Sequence, residues 1–315
     1  MVERERGEMN SIAAVVVTYN REELLKQNID KLLAQTAPCD ILVVDNASTD
    51  STGEAMRALE QAGKIQYRNT GANLGGAGGF NFGMRWAVEA GYQYVWIMDD
   101  DCFPEPDALE KLLEADQLLG GPENYGFLSS AVLWKDGREC VMNRQKIAKD
   151  FYHHVELMKH GIIQIRQATF VSLLFPRESI LRFGLPIKEF FIWGDDIEYT
   201  RRMAVRGNTS CYLVGQSQVI HVTKNNTGSN IALDDAERID RYFYAFRNEA
   251  YLYRQEGLRG RLYCLAKRGR DFLQIMAHAK QKRCRLRVLF KGIWAGFFFR
   301  PEVERIVTGT IESCA

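Results

Sequence analysis

IAAVVVT (12–18), the helix-like stretch from Arg21 to Ala34, and ILVVD (41–45) decide the fold. The two short runs are continuously aliphatic and β-branched, as a strand buried on both faces must be. The segment between them spaces its apolar residues for a helix, with Leu24, Leu25, Asn28, Leu32 and Leu33 expected on the inward face. Asn46-Ala47-Ser48-Thr49-Asp50 then supplies turn and N-cap residues for a helix near 51–62. IQYR (65–68) and YVWIM (94–98) read as two more strands. Between them NTGANLGGAGGFNFG (69–83) reads as a loop running into a helix that ends at Gly91. Strand and helix thus alternate for about 100 residues, which predicts an α/β fold with a doubly wound sheet. In such sheets ligands sit beyond the carboxyl ends of the strands. Thr18-Tyr19-Asn20, Asp45-Asn46 and Asp99-Asp100-Asp101 lie there.

Beyond this half, YGFLSSAVLW and ATFVSLLF within 125–175 read as strands, and Gln145–His160 as a polar excursion. Asp195–Arg206 reads as a helix, and CYLV (211–214) and VIHV (219–222) as two short strands. The turn-rich NNTGSN precedes a change to long helical periodicity after Asp234. The expected division is an N-terminal extension over 1–11, an α/β domain over 12–228 and a basic helical region over 229–315. With 315 residues, 46% of them hydrophobic, the chain can bury a full core. Seven cysteines, an odd number with no C-x-x-C pair, favour neither a zinc knuckle nor a disulfide framework and fit a reducing cytoplasm. The charged start MVERERGEMN does not resemble a signal peptide, and the apolar runs are too short to span a bilayer.

Three consecutive carboxylates at a strand end repel one another and need a cation or a hydrogen-bond network. Hard oxygen ligands suit Mg²⁺ or Mn²⁺. In an extended segment Asp99 and Asp101 point the same way and make the better ligand pair; a solvated acidic turn is the other reading. A second constellation, FFIWGDDIEY (190–199), sets acids after an aromatic wall. Asp195 and Asp196 there are either helix-capping residues or, partly desolvated beside Trp193, a general base for an acceptor hydroxyl. Trp193 itself suits stacking on a sugar or a place in the core. His221, in VIHV, is either a core histidine or an imidazole completing a two-carboxylate site. Gly75-Gly76-Ala77-Gly78-Gly79 follows the third strand and forms no G-x-G-x-x-G, which excludes a dinucleotide fingerprint. Those glycines serve either close packing or phosphate capture by backbone N–H groups.

VVVTYNR (15–21), VVDNASTD (43–50), NLGGAGGFNFGM (73–84), MDDDCFPEPD (98–107) and WGDDIEYTRR (193–202) together resemble family 2 inverting glycosyltransferases, over roughly residues 12–250. The likeness is greatest to bacterial galactofuranosyltransferases and related rhamnosyltransferases. It is carried by NLGGAGGF, the Trp-x-Asp-Asp arrangement, and Tyr242-Phe243-Tyr244 with Arg247-Asn248. The resemblance implies a GT-A fold, a Rossmann-like mixed sheet with flanking helices and a C-terminal helical region. It further implies a UDP- or dTDP-sugar donor. Thr18 and Asn20 would lie along the nucleotide, in a site shared with Arg21, Asn73, Gly75, Gly76 and Asp100, and Asp45 would accept the base N3–H. Asp99, Asp101 and His221 would hold Mn²⁺ or Mg²⁺, and Trp193 would meet the acceptor. Asp196 would be the base, with Asp195 beside it; Gly194 before the pair departs from many relatives. The implied activity is transfer of galactofuranose from UDP-galactofuranose to a sugar hydroxyl of a glycan or lipid-linked glycan of the cell surface. A dTDP-rhamnose transferase and a non-catalytic nucleotide-sugar-binding scaffold are the alternatives.

Residues 254–300 carry thirteen Lys/Arg against Glu256 and Asp271, a balance of +11 that the rest of the chain offsets. No nucleic-acid reader motif accompanies them. LFKGIWAGFFFR (289–300) instead suggests an anionic membrane surface, with Ile293, Trp294, Phe297, Phe298 and Phe299 entering the interface. The expected location is therefore cytoplasmic, peripheral on the inner face of the membrane. A helical cap on the first domain or an oligomer contact is the other reading, and the oligomeric state stays open.

Overall fold

The computed structural model describes residues 11–307. The extension expected over 1–11 therefore lies outside the described residues except for Ser11, as do residues 308–315 of the C-terminal region. The first half runs β1 (Ile12–Thr18), α1 (Glu22–Leu33), β2 (Asp40–Asp45), α2 (Thr52–Gln61), β3 (Gln66–Asn69), α3 (Gly75–Glu89) and β4 (Tyr94–Asp99). It continues through β5 (Cys102–Pro104), α4 (Ala108–Leu118), β6 (Leu128–Trp134), β7 (Lys146–Ile147), α5 (Val155–Lys159), β8 (Ile162–Gln167) and β9 (Leu173–Pro176). Then follow α6 (Arg177–Phe183), α7 (Asp195–Arg201) and β10 (Tyr212–His221), and the helices α8 (Arg241–Gln255), α9 (Gly257–His278) and α10 (Lys282–Phe298).

One sheet in the order β3-β2-β1-β4-β9-β6-β10-β8-β7 organises the molecule, with β5 paired to β10. Its first four strands are parallel, β9 is antiparallel to both β4 and β6, and β10 is parallel to β6 but antiparallel to β5 and β8. The sheet is thus mixed, with a parallel half read correctly from the continuous apolar runs. β1 is buried along its whole length because both its faces are covered. Ala14 and Val16 pack with Leu25, Ile29 and Leu32 of α1 and with Leu109 and Leu112 of α4. Ala13, Val15 and Val17 pack with Phe80, Met84 and Ala87 of α3 on the other side. Each large aliphatic side chain buried this way contributes about 1.5–3 kcal/mol.

Several local expectations are corrected. On α1 the inward face is Leu25, Asn28, Ile29 and Leu32, while Leu33 is exposed. Asn28 is tolerated in that apolar face because its Nδ2 donates to the Cys102 carbonyl, tying α1 to the start of β5. The glycine run 75–83 is not a loop but the first half of α3. Helix propensity argues against this, yet a Cβ on Gly79 would lie 2.4 Å from Val17 Cγ1, and one on Gly83 would lie 2.4 Å from Val15 Cγ1. Missing side chains let α3 lie directly on β1, and packing overrides propensity. CYLV and VIHV are parts of one strand, β10, with an irregularity between Val214 and Gln218 that breaks the pattern into two. The polar excursion holds β7, a short 3₁₀ turn and α5, and β8 follows it. The helix from Asp195 is α-helical to Arg201 and finishes as a π-turn over Arg202–Arg206, around the buried Glu198 paired with Arg202 and Arg206.

The C-terminal helices pack mainly on each other. Gly292 and Gly296 of α10 meet Phe246 and Ala250 of α8, and Tyr242, Phe246, Val288 and Leu289 form a small core of their own. Ile293 and Phe299 turn inward, Phe299 against Phe190, so only Trp294, Phe297 and Phe298 of the five expected interface residues are exposed. Among the described residues no helix is long and apolar enough to cross a membrane. The tight α3–β1 contact yields a stability test: Gly83→Val should destabilise the fold by about 1–3 kcal/mol by overpacking. An unchanged denaturation midpoint would show that this contact yields freely.

Candidate active site

β1 and β4 are neighbours in register, Val17 opposite Asp99, so their carboxyl ends deliver Thr18 and the acidic triplet to one place. The chain turns at Asp100 and Asp101 and returns as β5, whose Cys102 pairs with His221 of β10. That pairing brings the imidazole to the triplet: His221 Nε2 lies 3.1 Å from Asp101 Oδ1. Arg21 Nη1 reaches Asp101 Oδ2 at 2.8 Å and Asp100 Oδ1 at 3.0 Å, and Thr18 Oγ1 donates to Asp100 Oδ2 at 2.7 Å. Asp100 is thereby turned toward Thr18 and Arg21, whereas Asp101 faces His221. Asp99 and Asp101 achieve their proximity across a turn and not along an extended strand, since β4 stops at Asp99.

Burial and the neighbouring Asp101 push Asp99 well above the usual carboxylate range. Burial lifts Asp100 to about 6 despite the pull of Arg21. For His221 burial acts downward, but the hydrogen bonds to Asp101 and Cys140 and the nearby acids outweigh it and raise the imidazole to about 10. The ring is further fixed by Asn143, whose Oδ1 lies 2.8 Å from Nδ1 while its Nδ2 donates to Thr169 Oγ1 at 2.8 Å. Nδ1 therefore carries a proton in either charge state, and Nε2 is the atom free to exchange a proton for another cation. Ligand atoms of Asp99, Asp101, Cys102 and His221 all lie within 4.8 Å of one another. The Cys102 thiol is raised well above its ordinary value by burial and by the acids around it, so it stays neutral. Two carboxylates and one imidazole remain, a donor set that fits a hard divalent ion such as Mn²⁺.

Beside this cluster the loops after β1 and β2 are tied together. Ser48 Oγ accepts from Asn20 N at 2.8 Å, and Asn20 Oδ1 accepts from Thr49 N at 2.7 Å. Asp45 is fully buried; Tyr67 Oη and Asn69 Nδ2 donate to its Oδ2 at 2.6 and 3.2 Å, and Ser48 N donates to its Oδ1 at 2.8 Å. Three of about four lone-pair directions on that carboxylate are taken. Asn73 Oδ1 accepts from Gly75 N at 2.9 Å, and Asn46 Nδ2 donates to Gly75 O at 3.1 Å. Gly75 has φ +69°, and a Cβ there would lie 2.0 Å from the Phe191 carbonyl oxygen, so only glycine fits; Gly76 faces open space.

Phe191 closes against α3 through that contact, and the acid-bearing segment follows it. Asp195 and Asp196 open α7. Burial, reinforced by Asp196 and by Asp99, raises Asp195 strongly. Burial also raises Asp196, against the hydrogen bonds of nearby backbone N–H groups, including that of Ile197 at 2.7 Å. Trp193 is half-buried, edge-on to Tyr242 at 4.9 Å and beneath the Arg238 guanidinium. The triplet, Thr18, Arg21 and His221 are thus in direct contact, Asp195 is felt by Asp99, and Asn20, Asp45 and Gly75 border them at the β1 and β2 ends. Asn143, Tyr67 and Asn69 were not singled out in the sequence. They are polar residues in loops or at strand ends, where no periodicity marks them.

Comparison with known proteins agrees with this architecture. Residues 13–118 match the family model "Glycosyl transferase family 2". The chain is 26% identical over 271 residues to galactofuranosyltransferase GlfT1 of Mycolicibacterium smegmatis, covering 79% of this chain and 84% of the relative. It is 27% identical over 272 residues to the GlfT1 of Mycobacterium tuberculosis, with the same coverage. Among solved structures it superimposes on GalNAc-T7 with UDP, GalNAc and Mn²⁺ at TM-score 0.63 and 13% identity, covering 89% of this chain and 55% of that one. It also superimposes on Staphylococcus aureus TarS 1–349 in complex with UDP at TM-score 0.51 and 13% identity, covering 91% and 72%. Sheet order, acidic strand end and likeness together define a glycosyltransferase of GT-A fold. More narrowly, residues 13–118 carry the match to glycosyl transferase family 2, and the chain resembles the galactofuranosyltransferases.

Proposed function

We propose that the chain transfers galactofuranose from UDP-galactofuranose, with inversion and with a divalent metal, to a sugar hydroxyl of a lipid-linked surface glycan. The observation that carries this reading is the meeting of Asp99, Asp101 and His221 at the β4 end, with Asp195 and Asp196 as a separate acid pair on α7. The names of the relatives support the sugar, and the UDP and Mn²⁺ of the structural neighbours support the donor class and the metal. Asp99, Asp101 and His221 would hold Mn²⁺ or Mg²⁺, which supplies positive charge for the departing diphosphate. Thr18, Asn20, Arg21, Asn73, Gly75, Gly76 and Asp100 border the donor, Asp45 the base, and Trp193 the acceptor. Asp196 takes the proton of the acceptor hydroxyl as its oxygen attacks the anomeric carbon. The bond from that carbon to the UDP oxygen breaks on the opposite face, and no protein nucleophile is needed. Positioning and electrostatic stabilisation carry the rate.

The outward faces of α9 and α10 support a peripheral membrane location. Leu258, Leu262, Leu265, Phe272 and Met276 make one exposed stripe on α9, and Phe290, Trp294, Phe297 and Phe298 another on α10, meeting where Phe272 approaches Phe290. Arg259, Arg261, Lys280, Lys282, Arg283, Arg287 and Lys291 are exposed around them. The one acid of these helices, Asp271, is buried against Arg268. A second copy of the chain would oppose this surface with the same charge, whereas anionic lipid complements it.

UDP release from UDP-galactofuranose with Mn²⁺ and a galactose-terminated acceptor is the expected activity. Asp196→Asn should lower kcat by about 10²–10⁴-fold while UDP binding persists. Because the base acts deprotonated and burial raises Asp196, the wild-type rate should fall with decreasing pH at a point above the ordinary carboxylate range. Full turnover by the variant removes the assigned base, and turnover only with dTDP-rhamnose replaces the donor. In liposome flotation the protein should float with vesicles containing anionic lipid and less so after Trp294→Ser; equal partition to neutral and anionic vesicles contradicts the membrane reading.

A further inference from the structure

The backbone before the acid pair is unusual in three successive ways. Phe191 and Trp193 adopt φ of +63° and +64°, and Gly194 follows at +88°. Left-handed φ is unfavourable for a bulky side chain, so two such residues persist only where their surroundings over-determine them. The surroundings here are α8, in a part of the chain remote in sequence. Asn248 is fully buried, and its Nδ2 donates to the carbonyl oxygens of Phe190, Ile192 and Trp193 at 3.0, 3.2 and 2.8 Å. Its Oδ1 accepts from Arg247 Nε at 3.0 Å, which fixes the amide with its donors toward the loop. Arg247 Nη2 adds bonds to the Glu189 and Phe190 carbonyls, and the Phe191 carbonyl accepts from Ala77 N of α3 at 3.2 Å. Every carbonyl from Glu189 to Trp193 is thereby held from outside the loop.

The side chains of the two left-handed residues are held by the same helix. Tyr244 packs on Phe191 with ring centroids 5.1 Å apart, and Tyr242 packs edge-on to Trp193 at 4.9 Å. Gly194 lies with its Cβ direction toward Asn248 Cβ. Tyr242, Tyr244, Arg247 and Asn248 were noted in the sequence as a point of family likeness without a role, and they converge on this one loop.

We propose that Asn248, assisted by Arg247 and the two tyrosines, is the positioning residue for the segment that delivers Asp195 and Asp196. This rests on the reading of Asp196 as the base. The C-terminal helical region then contributes to turnover through α8. Asn248 acts on the backbone of the loop, and the donor site at the ends of β1, β2 and β4 is built without it.

The test is a comparison of Asn248→Ala and Asn248→Asp with the wild type by three readouts: UDP binding by calorimetry, kcat and KM, and amide exchange of residues 190–196. UDP affinity and donor KM should stay unchanged, kcat should fall about a hundredfold, as expected for misplacement on the ångström scale, and exchange across 190–196 should quicken while β1 and β4 stay protected. Asn248→Asp keeps the volume but lacks the two N–H donors, so it should behave like Asn248→Ala. If these variants do not fold, Tyr244→Leu, which removes only the ring against Phe191, should lower kcat several-fold with UDP affinity intact. Unchanged kcat, unchanged exchange in the loop, or a loss of UDP affinity in proportion to kcat overturns the proposal. Should the wild type turn over no nucleotide sugar, the proposed activity fails, and the exchange readout still decides whether Asn248 holds the loop.

Discussion

Negative charge gathered at one strand end is the constraint around which the molecule is arranged. Asp99, Asp100 and Asp101 close β4, and Asp195 stands near enough for Asp99 to raise it. Two protein cations answer them, Arg21 bridging Asp100 and Asp101 and His221 against Asp101. An ion pair at 4 Å gains about 4 kcal/mol at an effective dielectric constant near 20, and half-exposed Arg21 gains less, whereas desolvating a carboxylate costs several kcal/mol. Two cations do not offset that cost, which is why burial still lifts Asp99 and Asp100. A cluster left short of positive charge is a place where a further cation is stabilising. Strand order decides what stands there: β1 beside β4 supplies Thr18 and Arg21, and β10 beside β5 supplies His221.

The rest of the site follows from how closely neighbouring elements approach this strand end. α3 lies on β1 because Gly79 and Gly83 present no side chain, and Gly75 then meets the Phe191 carbonyl. One helix thus sets the distance between the strand ends and the loop that carries the acid pair. α8 holds the same loop from the other side through Asn248. The left-handed backbone at Phe191 and Trp193 leads the chain into α7, whose Asp195 lies near enough to the β4 end for Asp99 to act on it.

Much of this was legible in the sequence where burial is simple. β1, β2 and β4 are buried on both faces and appear as unbroken apolar runs, each followed by a polar cluster. Legibility fails where one residue serves packing against a particular neighbour. The glycines of α3 look like a loop because helix propensity knows nothing of Val15 and Val17. β10 looks like two strands because its irregularity interrupts the pattern, and α1 carries Asn28 inward because a carbonyl at Cys102 needs a donor. Asn143 and Asn248 show no pattern, since their partners are a ring nitrogen and three backbone carbonyls far along the chain. Family likeness named His221 and the acids, and Asn248 without a role; the structure shows what the two amides hold, the His221 ring by Asn143 and three loop carbonyls by Asn248.

The central claim is that the undercompensated acids of β4 and the imidazole of β10 form one cation site. Anomalous diffraction at the manganese edge, from crystals grown with Mn²⁺ and UDP, addresses it directly. The account predicts a single strong peak bonded to Asp99, Asp101 and His221 Nε2, with His221 Nδ1 still on Asn143. A peak at Asp195 and Asp196 instead, or a UDP-bound site in which His221 keeps its bond to Asp101 and no manganese is present, would contradict it.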